Sequence, residues 1–209
     1  MNDTWLAMAL TYPVEHLPAT YLHGNVSLSR PAAGVLHTTE GSFQSALDEF
    51  KTKFAPHFLV GHGRIIQFAP LGKMSFALKH TTGQLETNGW ARAQIEIAGR
   101  SQLHPWLPES GTLDALASLV AALEDAAGIP MKRAWPDGLC RSVRWATAAN
   151  PRRHEGAWGR EAGWFGHIEI PGNSHWDPGA LTYTALFARA RVLKERSRLT
   201  PTFVSPGAK

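Results

Sequence analysis

Two histidines and an aspartate, His167, His175 and Asp177, crowd into the stretch Phe165 to Leu181, FGHIEIPGNSHWDPGAL. Imidazoles and carboxylates serve as metal ligands and are also the usual carriers of protons in catalysis. Pro171, Gly172, Pro178 and Gly179 prevent this stretch from forming one regular helix or strand, so it reads as a rigid loop that presents side chains. Taken alone, a surface turn with solvated histidines accounts for it equally well. The elements elsewhere in the chain must decide between the two.

The first such element is GVLHTTEG, Gly34 to Gly41, whose small apolar residues predict a buried strand with His37 near its end. Ser42 to Phe54 places Phe43, Ala46, Leu47, Phe50 and Phe54 at helical spacing, with Pro56 as the stop. HFLVGHGRIIQFAPL reads as a hairpin turning at Gly61-His62-Gly63, with His62 solvated. In RAQIEIAG, Ala93, Ile95 and Ile97 alternate with Arg92, Gln94 and Glu96, the pattern of a half-buried strand whose polar face carries Glu96. Thr112 to Ala127 has Leu113, Leu116, Val120 and Leu123 on one stripe, Ser110 or Thr112 as cap, and Gly128 and Pro130 as the stop. Asp177 and Pro178 read as N-cap and first-turn residue of a last helix reaching about Arg196. This mixture predicts an α/β fold, a central mixed β-sheet flanked by helices. Residues 1–33, broken by Pro13, Pro18 and Pro31, read as an irregular lead-in packed on a domain spanning 34–196, and 197–209 as a tail or linker.

Within that domain, 131–164 interleaves Trp135, Trp145, Trp158 and Trp164 with six arginines and has little periodicity. Its indoles either line a groove or belong to the core. The composition, 44% hydrophobic and 18% charged, is that of a globular protein and not of a disordered one. Cys140 is the only cysteine, which excludes an intramolecular disulfide and a thiolate metal cluster, so any metal takes histidine and carboxylate ligands. A net charge of +4 favours a polyanionic partner. No recognition helix or RNA-binding motif accompanies the arginines, so no specific nucleic-acid partner is expected. No apolar run reaches the roughly 18 residues of a membrane span, and MNDTWLAMAL lacks the basic start of a secretory signal.

In their order, GVLHTTEG, HFLVGHGRIIQFAPL, NGWARAQIEIAG and GWFGHIEIPGNSHWDPGAL resemble the successive motifs of the zinc-dependent N-acetylmuramoyl-L-alanine amidases of the type-2 family, which share the peptidoglycan-recognition-protein fold. The resemblance covers roughly residues 30 to 190. It implies a zinc groove at one edge of the fold, with one Zn2+ held by His37, His167 and Asp177 and a fourth position open to water, as catalytic zinc requires. It further implies Glu96 as the proton-transferring carboxylate. His175 stands where many relatives carry a lysine and would stabilise an oxyanion. Pro56 departs from a tyrosine that relatives often place there. His80, Asn88 and Trp176 match groove positions; His80 is either a peptide contact or an ordinary loop histidine, and Asn88 more readily organises its loop than touches substrate.

The implied activity is hydrolysis of the amide between N-acetylmuramic acid and L-alanine in peptidoglycan. The wording GNSHWDPGAL is most similar to lysins of phages that infect actinobacteria. That likeness implies an endolysin held in the host bacterial cytoplasm until its release to the wall; a monomer is expected. A non-catalytic peptidoglycan-binding module of the same fold is the alternative.

Overall fold

Short runs of β-branched and small apolar residues, cut by glycine and proline, build a seven-stranded mixed sheet. The computed structural model describes residues 3–20, 24–79, 85–134 and 156–199. The expectations for His80, for Trp135, Cys140 and Trp145, for Arg141, Arg144, Arg152 and Arg153, and for the tail beyond residue 199 lie outside the described residues.

In chain order the elements are β1 (Met8–Ala9), β2 (Tyr12–His16), β3 (Ala33–Thr38), α1 (Phe43–Phe50), β4 (Phe58–Gly61), β5 (Arg64–Gln67), β6 (Ala91–Ile97), β7 (Gln102–Trp106), α2 (Ser110–Ala127), β8 (Gly163–Gly166), β9 (Gly179–Leu181) and α3 (Tyr183–Leu199). The main sheet has the order β1-β2-β5-β4-β6-β3-β8, and β7 pairs with β9 in a separate two-stranded sheet. Strands β4, β6, β3 and β8 run parallel to their neighbours in that order, so their carboxyl ends share one edge. Ligand sites of α/β sheets form at such an edge because the loops leaving parallel strands converge there.

The elements depart from the sequence reading in three places. The lead-in is not wholly irregular: Val14, Glu15 and His16 pair with Ile65, Ile66 and Gln67, which adds β2 to the sheet. Helix α1 stops at Phe50, several residues before the proline. The last helix starts at Tyr183 and not at Asp177, because the chain first pairs as β9 with β7. Gly179 makes that pairing possible: its φ is 62°, and a Cβ there would lie 2.4 Å from the Gln102 carbonyl oxygen.

Helices α2 and α3 cover one face of the sheet, packing Leu116, Val120, Leu186 and Phe187 against Leu36, Val60 and Ile95. On the other face α1 packs Phe43, Ala46 and Leu47 over Leu59, Ile66 and Phe68, while Trp158, Phe165 and Ile170 cover Val35. Trp158 and Trp164 are therefore core residues, each 1% exposed or less. On the polar face of β6 Arg92 and Glu96 are partly exposed, as a half-buried strand requires, while Gln94 between them is fully buried. Gln94 Nε2 donates to the Ser75 carbonyl and to Asn88 Oδ1, and its backbone N–H donates to His57 Nδ1.

His57 has a fixed tautomer in this network. Nδ1 accepts from Gln94, so Nε2 carries the proton and donates to the Lys73 carbonyl. Burial pushes its pKa from 6.5 down to about 4. The unfolded chain therefore takes up this proton first as pH falls, and the stability held above pH 6.5 is lost between 6.5 and 4, up to about 3 kcal/mol. Denaturant unfolding at pH 7 and pH 4.5 should show a smaller acid loss in His57→Gln than in the wild type; equal losses would remove His57 as a cause.

Candidate metal centre

The parallel ladder builds the site before any loop contributes. In the β3–β6 register His37 lies directly beside Glu96, both next to last in their strands and on the same face. Strand β8 runs on the other side of β3 and ends at Gly166, which delivers His167 one residue later. Asp177 then returns on the loop into β9, where Ile168 N–H donates to the Asp177 carbonyl at 2.8 Å. The Asp177–Pro178 peptide is cis.

His37, His167 and Asp177 are all buried and offer ligand atoms within 4.8 Å of one another. The Nδ1 atoms of His37 and His167 stand 3.0 Å apart. Asp177 places Oδ1 3.3 Å from His167 Nδ1 and Oδ2 3.6 Å from His37 Nδ1. A tetrahedral ion with bonds of about 2.0–2.2 Å separates neighbouring ligand atoms by about 3.3–3.6 Å, so the three donors already stand close to the edges of such a polyhedron. The protonation states agree. Burial lowers the His167 pKa to about 4, leaving a neutral imidazole with a lone pair to give. Burial acts to raise the Asp177 carboxyl, but His167, with hydrogen bonds from His175 and His37, holds it well below the ordinary carboxylate range. Two imidazoles and one carboxylate aimed at a common point fit a divalent cation of the zinc class.

Glu96 stands beside this set, with Oε1 4.0 Å from His37 Nδ1 and a side chain 13% exposed. Burial pushes its pKa up to about 7, against the opposing pull of His37. His175 is 62% exposed, stacks on the His167 ring at 4.4 Å and 12°, and brings Nδ1 to 3.4 Å from Asp177 Oδ1. A groove of about 300 Å³ runs from Glu96, His167, His175 and Asp177 along α1 to Glu49 and Phe50.

The other sequence candidates separate from this cluster. Asn88 is buried, donates to the Leu78 carbonyl and accepts from the Leu78 N–H, so it ties its own loop together. Trp176 is not among the residues lining the groove; its ring lies against the Gly179 turn. Sequence reasoning missed three supports of the site. Thr38 N–H donates to Asp177 Oδ2 at 3.3 Å. Asn173 donates to the His167 carbonyl and accepts from His175 N–H. Glu169, fully buried, accepts from Gly166 N–H and pairs with Arg133. An Asn between Pro-Gly and His was a readable turn signal, whereas a backbone N–H leaves no trace in a sequence.

A family model for N-acetylmuramoyl-L-alanine amidases, Amidase_2, matches residues 27–180. No curated protein matches the sequence. Among solved structures, the Staphylococcus aureus hydrolase AmiA, solved in complex with its ligand, is similar with a TM-score of 0.55 at 17% identity, covering 88% of this chain and 84% of that one. A selenomethionine derivative of AmpD is similar with a TM-score of 0.54 at 15% identity, covering 92% of this chain and 98% of that one. At these identities the likeness is one of fold: the mixed sheet flanked by helices is shared.

Proposed function

The chain belongs to the N-acetylmuramoyl-L-alanine amidase family, and from that membership we propose that it is a zinc-dependent hydrolase of the amide joining N-acetylmuramic acid to L-alanine in peptidoglycan. The observation that carries this reading is the convergence of His37 Nδ1, His167 Nδ1 and the Asp177 carboxylate beside Glu96. When bound, a zinc ion polarises a carbonyl and lowers the pKa of water to about 7. Around it the chain's own groups divide the work. Thr38 N–H holds Asp177 Oδ2 in place. Glu96 takes a proton from the attacking water and passes it to the leaving L-alanine nitrogen. His175, exposed at the groove, donates to the oxyanion of the tetrahedral intermediate. His175→Lys should retain turnover and extend it to higher pH, because an ammonium stays charged where an imidazolium has lost its proton; a dead variant removes His175 from that role.

The GNSHWDPGAL wording supports a phage endolysin that acts on the host wall and is held in the host cytoplasm until its release. Among the described residues no helix is long and apolar enough to cross a membrane. Mass spectrometry of purified walls after digestion, with and without a chelator, tests the activity. Stem peptides with a free N-terminal L-alanine should appear and the chelator should stop their release. Wall binding without release, by protein carrying no zinc, would establish the non-catalytic module instead.

A further inference from the structure

Histidines that ligate a metal are usually oriented from the ring, the second nitrogen donating to a carboxylate, carbonyl or water. Here His37 Nε2 and His167 Nε2 are both buried and have no hydrogen-bond partner among the described residues. Orientation must come from the backbone. For His37 it does, because β3 is laddered on both sides, by β6 and by β8. His167 lies just past β8, the last strand of the sheet order, so no ladder holds it; Asn173 donates to its carbonyl from one side, and the other side of the turn is held through Gly166.

We infer that the pair of the buried Glu169 with the part-buried Arg133 supplies that hold, as the positioning device that aims His167 at the metal. Glu169 is 0% exposed, and its two oxygens divide between two anchors. Oε2 accepts from the N–H of Gly166, the residue before the ligand, at 2.7 Å, and Oε1 is paired with Arg133. Arg133 is itself held, because Lys132 and Ala134 run beside β8 through Trp164 N–H to the Lys132 carbonyl and Ala134 N–H to the Trp164 carbonyl. Its guanidinium also lies 4.0 Å over the Tyr183 ring of α3. The turn carrying His167 is thus fixed to the sheet edge and to α3 through one carboxylate. Burying an ion pair costs several kcal/mol, and well-packed apolar residues often stabilise a fold as well or better. Glu169 is also not among the residues lining the groove, so substrate contact does not explain it. The geometry displays a use for the pair, holding the backbone on which the ligand nitrogen depends.

This inference rests on the metal reading of the site, and its test separates the two. Zinc affinity is measured by competition with a chromogenic chelator, the visible spectrum of the cobalt-substituted protein reports ligand geometry, and circular dichroism reports folding. Glu169→Gln and Arg133→Met should remain folded, bind zinc about tenfold or more weakly, and shift the cobalt bands, while Arg133→Lys, which keeps the charge, should recover most of the affinity. Folded variants with wild-type zinc affinity and cobalt spectra but a lower Tm would overturn the proposal, leaving the pair a purely structural feature. If Glu169→Gln does not fold, Arg133→Met carries the same readout. A wild-type protein that binds no zinc would defeat the metal reading itself.

Discussion

His37→Ala should abolish zinc-dependent stabilisation and turnover together, while leaving the metal-free fold intact. The side chain sits within the donor set, 3.0 Å from His167 Nδ1 and 3.6 Å from Asp177 Oδ2, so its loss removes one of the three converging donors. The remaining donors, one imidazole and one carboxylate, leave two of four positions on a tetrahedral ion without protein ligands. A ligand that binds only the folded state stabilises it by about 2.7 kcal/mol at a hundred times its Kd. The wild type should therefore melt higher with zinc than with chelator, and His37→Ala should melt at one temperature in both. The metal-free melting temperature should fall modestly, because alanine leaves a cavity where a buried ring stood and removes its Nδ1 contacts with His167 and Asp177, so the readout is the gap between the two melts and not either melt alone. Thermal melts with and without zinc check this. A His37→Ala protein that still gains stability from zinc would place the metal elsewhere.

The residues of this centre were legible in the sequence to different degrees, and the differences follow from physics. His37 and Glu96 were legible because each lies on a strand whose alternation is visible, and a parallel ladder then sets them side by side. Strand β8 was not legible: GWFG is four residues with glycine at both ends, and its strand character comes from β3 and from the Lys132–Ala134 segment, not from its own propensity. Asp177-Pro178 is a strong helix-start signal, yet the helix begins at Tyr183 because pairing of β9 with β7 wins over that local preference. No pattern discloses which ring nitrogen of His167 faces Asp177, since that depends on a turn whose Glu169 pairs with Arg133, 36 positions before it. The sequence therefore carries which residues gather here well and how their side chains are aimed poorly, because aim is set by backbone donors and long-range pairs.

Glu96→Gln should keep the zinc and lose the reaction. Glutamine preserves the volume and the position beside His37 but cannot accept a proton from water, so turnover should drop by roughly 10²–10⁴ while zinc affinity stays within about twofold. The pH behaviour makes the assignment specific. Burial raises this carboxyl from 4.5 to about 7, and the base is the ionised form, so wild-type turnover should climb as pH rises towards 7. A cation bound next to it favours the carboxylate and moves that limb lower. The residual activity of Glu96→Gln should lack the limb altogether. The same shift predicts a stability signature in metal-free protein. The fold binds this proton more tightly than the unfolded chain does, so stability falls as pH rises from 4.5 to 7, and above 7 the fold carries a buried charge. Glutamine removes that burden, and metal-free Glu96→Gln should be more stable than wild type above pH 7, by up to about 3 kcal/mol, with the gap closing below pH 4.5. Chemical denaturation across this range measures the gap and a steady-state pH profile measures the limb. Full turnover in the variant would remove Glu96 from the mechanism, whereas lost turnover without the stability gain would keep Glu96 as the base and refute the burial that tunes it.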